Sequence, residues 1–227
     1  MTGRPRRVHR WSGYPATTPM RHNDAHSLSR IDDMATRARS RDITVLPLTA
    51  ERWDDLVELF GPNGAVGGCW CMWFRQTAAE FDRQHGEPNR ALMKQLVDSG
   101  TVPGLIAYID GQPRGWCSVA PRKEFGRINR SRILAPVDDR PVWSIVCFFV
   151  HRTARGTGLG TALLDAAVAH AASQGAQIVE GYPIDTRDGR ATSGAIYVGT
   201  AAMFHAAGFE EVARNSPTRP IMRRYIR

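Results

Sequence analysis

The run Arg155-Gly156-Thr157-Gly158-Leu159-Gly160-Thr161 constrains this chain more than any other stretch. Ahead of it, Val142 to Val150 is dense in β-branched and aromatic residues and reads as a buried strand. Behind it, Leu159 to Ser173 is rich in alanine and reads as a helix. The glycines therefore sit in a tight strand-to-helix turn, where the missing Cβ admits positive φ and close approach of backbone to a ligand. The amides of Gly156 to Thr161 become the unpaired donors of a helix N-terminus. The helix dipole adds roughly half a positive charge there, which suits a phosphate or pyrophosphate.

Two familiar phosphate loops do not fit. A Walker loop needs G-x-x-x-x-G-K-[ST], and this turn has no lysine. The dinucleotide fingerprint G-x-G-x-x-G opens the first βαβ unit of its domain, whereas Gly156-x-Gly158-x-Gly160 has another spacing and comes late. Arg155-x-x-Gly158-x-Gly160, with the strand before it and the alanine-rich helix after it, resembles the R-x-x-G-x-G/A loop of the GNAT superfamily of acyl-CoA N-acyltransferases. A glycine-rich turn with no ligand is the bland alternative. The resemblance spans about residues 42–227 and implies an α/β protein of α+β type. That is the GNAT fold, a mixed central sheet with two splayed parallel strands, flanked by helices. It implies acetyl-CoA as co-substrate, its pyrophosphate on Arg155, Gly156, Thr157, Gly158, Leu159, Gly160 and Thr161. The pantetheine arm would run along Phe148, Phe149 and Val150, with Thr200 nearby on the last helix.

The other elements follow in order. Ile43 to Leu48 reads as a strand and Ala50 to Phe60 as a helix, with Trp53, Leu56, Val57, Leu59 and Phe60 on its apolar face. Thr49 offers half a capping box, since Arg52 stands where the acid belongs. Glycines from Gly61 to Gly68 end that helix, and Cys69 to Arg75, the densest aromatic cluster, reads as a loop or short strand before a polar helix. By the resemblance, Trp70, Trp73 and Phe74 wall an acceptor pocket, with Arg75 meeting an anionic group; otherwise these aromatics plug the end of the sheet. Pro88 to Ser99 is a helix, and Gly104 to Ile109 and Pro113 to Val119 are strands joined at Asp110-Gly111, a strong hairpin signal. Pro121 to Pro141 is a long polar connection, read as a solvated loop or as a lid. Gln177 to Pro183 is a strand parallel to its predecessor, because a helix crosses over. Asp185 to Ser193 is a polar loop, Tyr197 to Ala207 a helix ended by Gly208, and Phe209 to Ala213 and Pro220 to Ile226 the last strands. His170 lies on the packing face of its helix and reads as a surface or core histidine rather than a ligand.

Charge and cysteine usage limit the alternatives. The chain of 227 residues carries a net charge of +8, but nine arginines against three aspartates put +6 of it in residues 1–41. That arm lacks apolar periodicity and reads as a basic, disordered extension ahead of a GNAT domain at 42–227. A solvated tail is favoured over a tether to nucleic acid. Cys69-x-Cys71 lacks the spacing of a zinc knuckle or redox pair, and Cys117 and Cys147 fall in strands, so neither a metal nor a disulfide framework is expected. No apolar run approaches a membrane span, and no signal peptide follows the early arginines, which places the protein in the cytoplasm. A homodimer is compatible with all of this.

The closing motif of the family, N-x-x-A-x-x-[LM]-Y-x-x-x-G-F, aligns on Gly208-Phe209. Met203-Phe204 then occupies [LM]-Y, Tyr197 the Asn and Thr200 the Ala, so the family's general-acid Tyr is absent here. Direct acyl transfer still needs an oxyanion donor, and a backbone amide near Phe149 or Val150 can serve. Glu180 is the expected base, with Tyr197, Tyr182 and His205 as rival proton donors. Tyr182 is expected on the face opposite Glu180, His205 on the surface, and Cys69 or Cys71 is a remote alternative as nucleophile. The expected activity is acetyl transfer to an amine of a small molecule. A non-catalytic acyl-CoA-binding module with an Arg-rich arm, and transfer to a protein amine, are the competing readings.

Overall fold

A computed structural model of the protein describes residues 42–187, 189 and 196–226; the basic arm and most of the loop after Asp185 lie outside the described residues. The chain enters as strand β1 (Ile43–Pro47), then a 3-10 turn over Ala50–Arg52 and helix α1 (Trp53–Phe60). Helices α2 (Ala78–Gln84) and α3 (Glu87–Asp98) follow, then strands β2 (Gly104–Ile109) and β3 (Gln112–Pro121). After the short helix α4 (Gly126–Asn129) come β4 (Trp143–Val150), α5 (Leu159–Ser173) and β5 (Ile178–Gly181). Helix α6 (Ala201–Ala206) and strands β6 (Glu210–Arg214) and β7 (Pro220–Tyr225) close the chain.

The strands form one sheet in the order β1-β2-β3-β4-β5-β7-β6. Every neighbouring pair is antiparallel except β4 and β5, which the α5 crossover makes parallel. Alternation along the strands feeds two cores. Leu105, Ala107, Cys117 and Val119 pack against Leu159, Leu163, Ala167 and Ala171 of α5 on one face. Ile106, Tyr108 and Trp116 meet Leu56, Phe60, Met93 and Val97 of α1 and α3 on the other.

Several expectations need correction. Thr49 caps no backbone amide; its Oγ1 accepts from Arg52 Nη1 at 3.0 Å, and the first turn tightens to 3-10. Helix α2 carries the full capping box that Thr49 lacks, Thr77 with Glu80, a signal passed over in the sequence. The connection over 121–141 is not a solvated loop, because Phe125, Ile128 and Leu134 are buried and pin it to the sheet. The last helix starts at Ala201 instead of Tyr197, since Gly199 at φ +79° and extended Thr200 interrupt it.

Candidate active site

Strand β4 pairs with β3 along its length, from Trp143 opposite Pro121 to Val150 opposite Gly115, with one bulge at Val146. Its ladder with β5 covers only Trp143–Ile145 against Val179–Gly181. Beyond that, the chain leaving β5 turns to another partner: Ile184 donates to Gly199 O at 3.0 Å and accepts from Ala201 N at 2.9 Å. From Val146 to Val150 the outer edge of β4 thus faces a wedge. Phe204 sits at the vertex, fully buried, and a Cβ on Gly181 would lie 2.1 Å from its ring.

The glycine turn stands at the mouth of this wedge. Gly156 and Gly158 take φ of +74° and +82°, and a Cβ on either would meet nothing within 4 Å. Conformation therefore demands glycine here, and the space in front stays open. Thr161 and Ala162 donate to Gly158 O at 3.0 and 3.1 Å, whereas the amides of Gly156 to Gly160 have no acceptor among the described residues. Thr157 is turned inward, its hydroxyl donating to Ala154 O at 2.7 Å. Arg155 is exposed beside the turn. These donors crown a helix of 15 residues, so the fit to a diphosphate is both geometric and electrostatic. Thr200 caps α6, its hydroxyl accepting from Met203 N at 3.2 Å.

Where β4 parts from β5 lies a cavity of about 300 Å³. Phe60, Trp73, Phe74, Trp116, Phe148, Phe149 and Tyr197 line it, together with the thiols of Cys69, Cys71 and Cys147. Trp73 and Phe74 are therefore in its wall. Trp70 is not; it is buried behind, stacked on Trp53 at 6.1 Å with Arg90 over its ring. Arg75 is also outside the lining, paired with Glu124 at 2.8 Å and lying over the Phe125 ring. The indole of Trp116 donates to Cys71 Sγ at 3.1 Å. The neighbouring Cys147 thiol, and next that indole, favour the Cys71 thiolate and lower its pKa against the effect of burial. Burial pushes Cys69 up to about 11. Both Trp70 and Cys71 hold positive φ, 43° and 59°, which aims successive side chains to opposite sides of the wall.

Glu180 and Tyr182 lie elsewhere, at the paired end of β4 and β5. Glu180 is fully buried; Oε1 accepts from Arg122 Nη1 and from Tyr182 OH, each at 2.7 Å, and Oε2 accepts from Arg223 Nε at 2.7 Å. The Tyr182 hydroxyl also meets Ser144 Oγ at 2.8 Å. Residues two apart on a strand share a face, so the expectation that Tyr182 opposes Glu180 is corrected. Burial, and next the Glu180 charge, push the Tyr182 phenol up. Neither group reaches the cavity. Tyr197 does, its ring 6.2 Å from Phe74 and its phenol pushed up by burial. His205 is exposed. Arg122 was read only as one charge of the polar connection and Arg223 of β7 was not singled out, since neither position carries a signal of burial.

The model of the acetyltransferase (GNAT) family matches residues 70–188. The chain belongs to the GNAT family. An acetyltransferase crystal structure shares this GNAT fold with a TM-score of 0.53 at 15% identity, over 81% of this chain and 100% of that one. The PaiA N-acetyltransferase of Thermoplasma acidophilum, in complex with coenzyme A, aligns at 13% identity over 82% and 99%, with a TM-score of 0.47. An aminoglycoside N-acetyltransferase in complex with CoA aligns at 15% identity over 78% and 93%, also with a TM-score of 0.47. No curated protein matches the chain. Its GNAT membership implies acyl transfer as the general chemistry.

Proposed function

We propose that this chain is an acetyl-CoA-dependent N-acetyltransferase that acts directly on the amine of a small molecule. The observation that carries the reading is the wedge between β4 and β5, with unpartnered amides at Gly156 to Gly160 on one side and the apolar cavity on the other. The turn from Arg155 to Thr161 receives the pyrophosphate of the donor. The edge of β4 at Phe148, Phe149 and Val150 pairs with the pantetheine arm, and an amide there stabilises the oxyanion. Thr200 holds the start of α6 against the wedge. Residues 42–227 form the transferase domain, with 1–41 as a basic extension. Among the described residues no helix is long and apolar enough to cross a membrane.

Among the proton donors named from the sequence, Tyr197 lines the cavity, which supports it as the acid. Its phenol is protonated at neutral pH and can donate to the departing thiolate. Glu180 and Tyr182 instead fix the vertex of the wedge. Acetyl-CoA is expected to raise the melting temperature of the protein, and Gly158→Glu to abolish that rise, since it strains a positive φ and sets a carboxylate before the phosphates. Tyr197→Phe is expected to lower kcat about 10²-fold with the thermal shift intact. Equal melting with and without millimolar acetyl-CoA would sink the assignment. Retained binding without turnover across an amine panel would leave an acyl-CoA-binding module.

A further inference from the structure

We infer that the acceptor is a small monoamine with an aromatic or otherwise apolar body, admitted as its neutral base, and that polycationic amines are rejected. The transfer step rests on the function proposed above; the binding preference rests on the cavity itself.

The cavity is at the small end of ligand-site volumes, about 300 Å³, and among the described residues no carboxylate or cation lines it. Its faces are rings and thiols. An ammonium group inside would lose its water and find no counter-ion. Two carboxylates of the fold that are buried or half-buried are committed elsewhere: Glu124 to Arg75, and Glu180 to Arg122 and Arg223. Aromatic faces can hold a cation, but here one is already taken, because the Arg127 guanidinium lies 3.7 Å from the centroid of Trp73. The same guanidinium keeps a positive charge beside this wall. An apolar ring gains by leaving water, and the free amine it carries is also the form that can attack a thioester.

A long acyl chain on the donor is the rival occupant. The opening favours the acceptor. Val66, 73% exposed, and Tyr197, 36% exposed, are both lining residues, so the cavity opens to solvent between them and an acceptor can enter there.

The test uses the full chain with phenethylamine, tryptamine, spermidine and kanamycin. Binding is read by quenching of tryptophan fluorescence in the presence of CoA, and turnover by CoA release from acetyl-CoA. The arylalkylamines are expected to bind at least tenfold tighter than spermidine, with little dependence on salt. Their kcat/KM is expected to exceed that of spermidine at least 100-fold and to rise with pH until the amine is fully deprotonated. Val66→Asp, at an exposed position where the fold tolerates change, should shift the ratio several-fold toward spermidine. Spermidine or kanamycin binding as tightly as phenethylamine, or preferred spermidine transfer from a longer acyl-CoA, overturns the inference. So does the absence of arylalkylamine binding. Arylalkylamine binding without CoA release upholds the cavity's preference while sinking the proposed transfer.

Discussion

The two ends of the β4–β5 pair treat charge in opposite ways. Where the strands touch, Ser144 stands opposite Glu180, and a buried carboxylate is surrounded by Arg122, Arg223 and the Tyr182 hydroxyl. Asp138 extends the cluster by meeting Arg223 at 2.7 Å. Where the strands part, β4 presents Cys147, Phe148 and Phe149 to a cavity with no ion in its lining. A buried charge is tolerable only with its partners in place. At the ionic end three donors meet the Glu180 carboxylate. The aromatic end has no such commitments, and its free surface is what a ligand can use. The paired end acts as a clasp that fixes where the strands separate.

The largest effect should come from opening that clasp. Glu180→Ala leaves two guanidinium groups buried without their carboxylate and is expected to cost about 3–5 kcal/mol. Urea denaturation measures it. Acid should weaken the same end. Hydrogen bonds from Arg223 and then Arg140 hold the Asp138 carboxyl well below the usual range. A depressed acid contributes stability above its unfolded pKa, and that contribution fades as pH falls through the folded value. A Glu180→Ala protein as stable as the parent would erase the distinction between the two ends.

Much of this was legible in the chain, and the misses have physical reasons. The turn at Gly156 and Gly158 announced itself because positive φ leaves a residue-type signature. The hairpin did so for the same reason, with Asp110 at φ +50° and Gly111 at +76°. The parallel β4–β5 pair came with the resemblance, whereas the place of β7 between β5 and β6 was not read. Glu180 misled because a strand carboxylate shows its type in the sequence but not its partners; Arg122 and Arg223 lie 58 and 43 residues away. Trp70 and Trp73 look alike in a cluster of aromatics, and their contacts separate them: Trp70 stacks on Trp53 while Trp73 lines the cavity. Trp70 fills the wall, and Cys71, unremarkable in spacing, contributes a thiol to it.

The wedge itself offers an intermediate effect. Gly181 is the last residue of β5 paired to β4, and a Cβ there would lie 2.1 Å from Phe204 Cε1. Gly181→Ala is therefore expected to cost about 1–3 kcal/mol through overpacking. If the vertex positions the donor, the thermal shift with acetyl-CoA should shrink as well. A neutral substitution would mean that Phe204 has room to move, and that the vertex is softer than the clasp beside it.

The smallest effect is a titration, and it probes the aromatic end alone. The thiolate is the reactive form of cysteine, so alkylation should follow its population. For Cys71, lowered by the Cys147 thiol in the first place, the rate with iodoacetamide should level off at a lower pH than for Cys69, which burial pushes up to about 11. Removing that neighbour with Cys147→Ala should move the Cys71 midpoint upward. Peptide mapping by mass spectrometry separates the two thiols. Cys71 is only 5% exposed, so its modification also reports that a small neutral molecule can enter the cavity. Protection of Cys71 by phenethylamine, with none by spermidine, would tie that entrance to the acceptor. Alkylation of Cys71 that levels off no earlier than that of Cys69 would remove the thiol from the chemistry of this wall and leave it as packing.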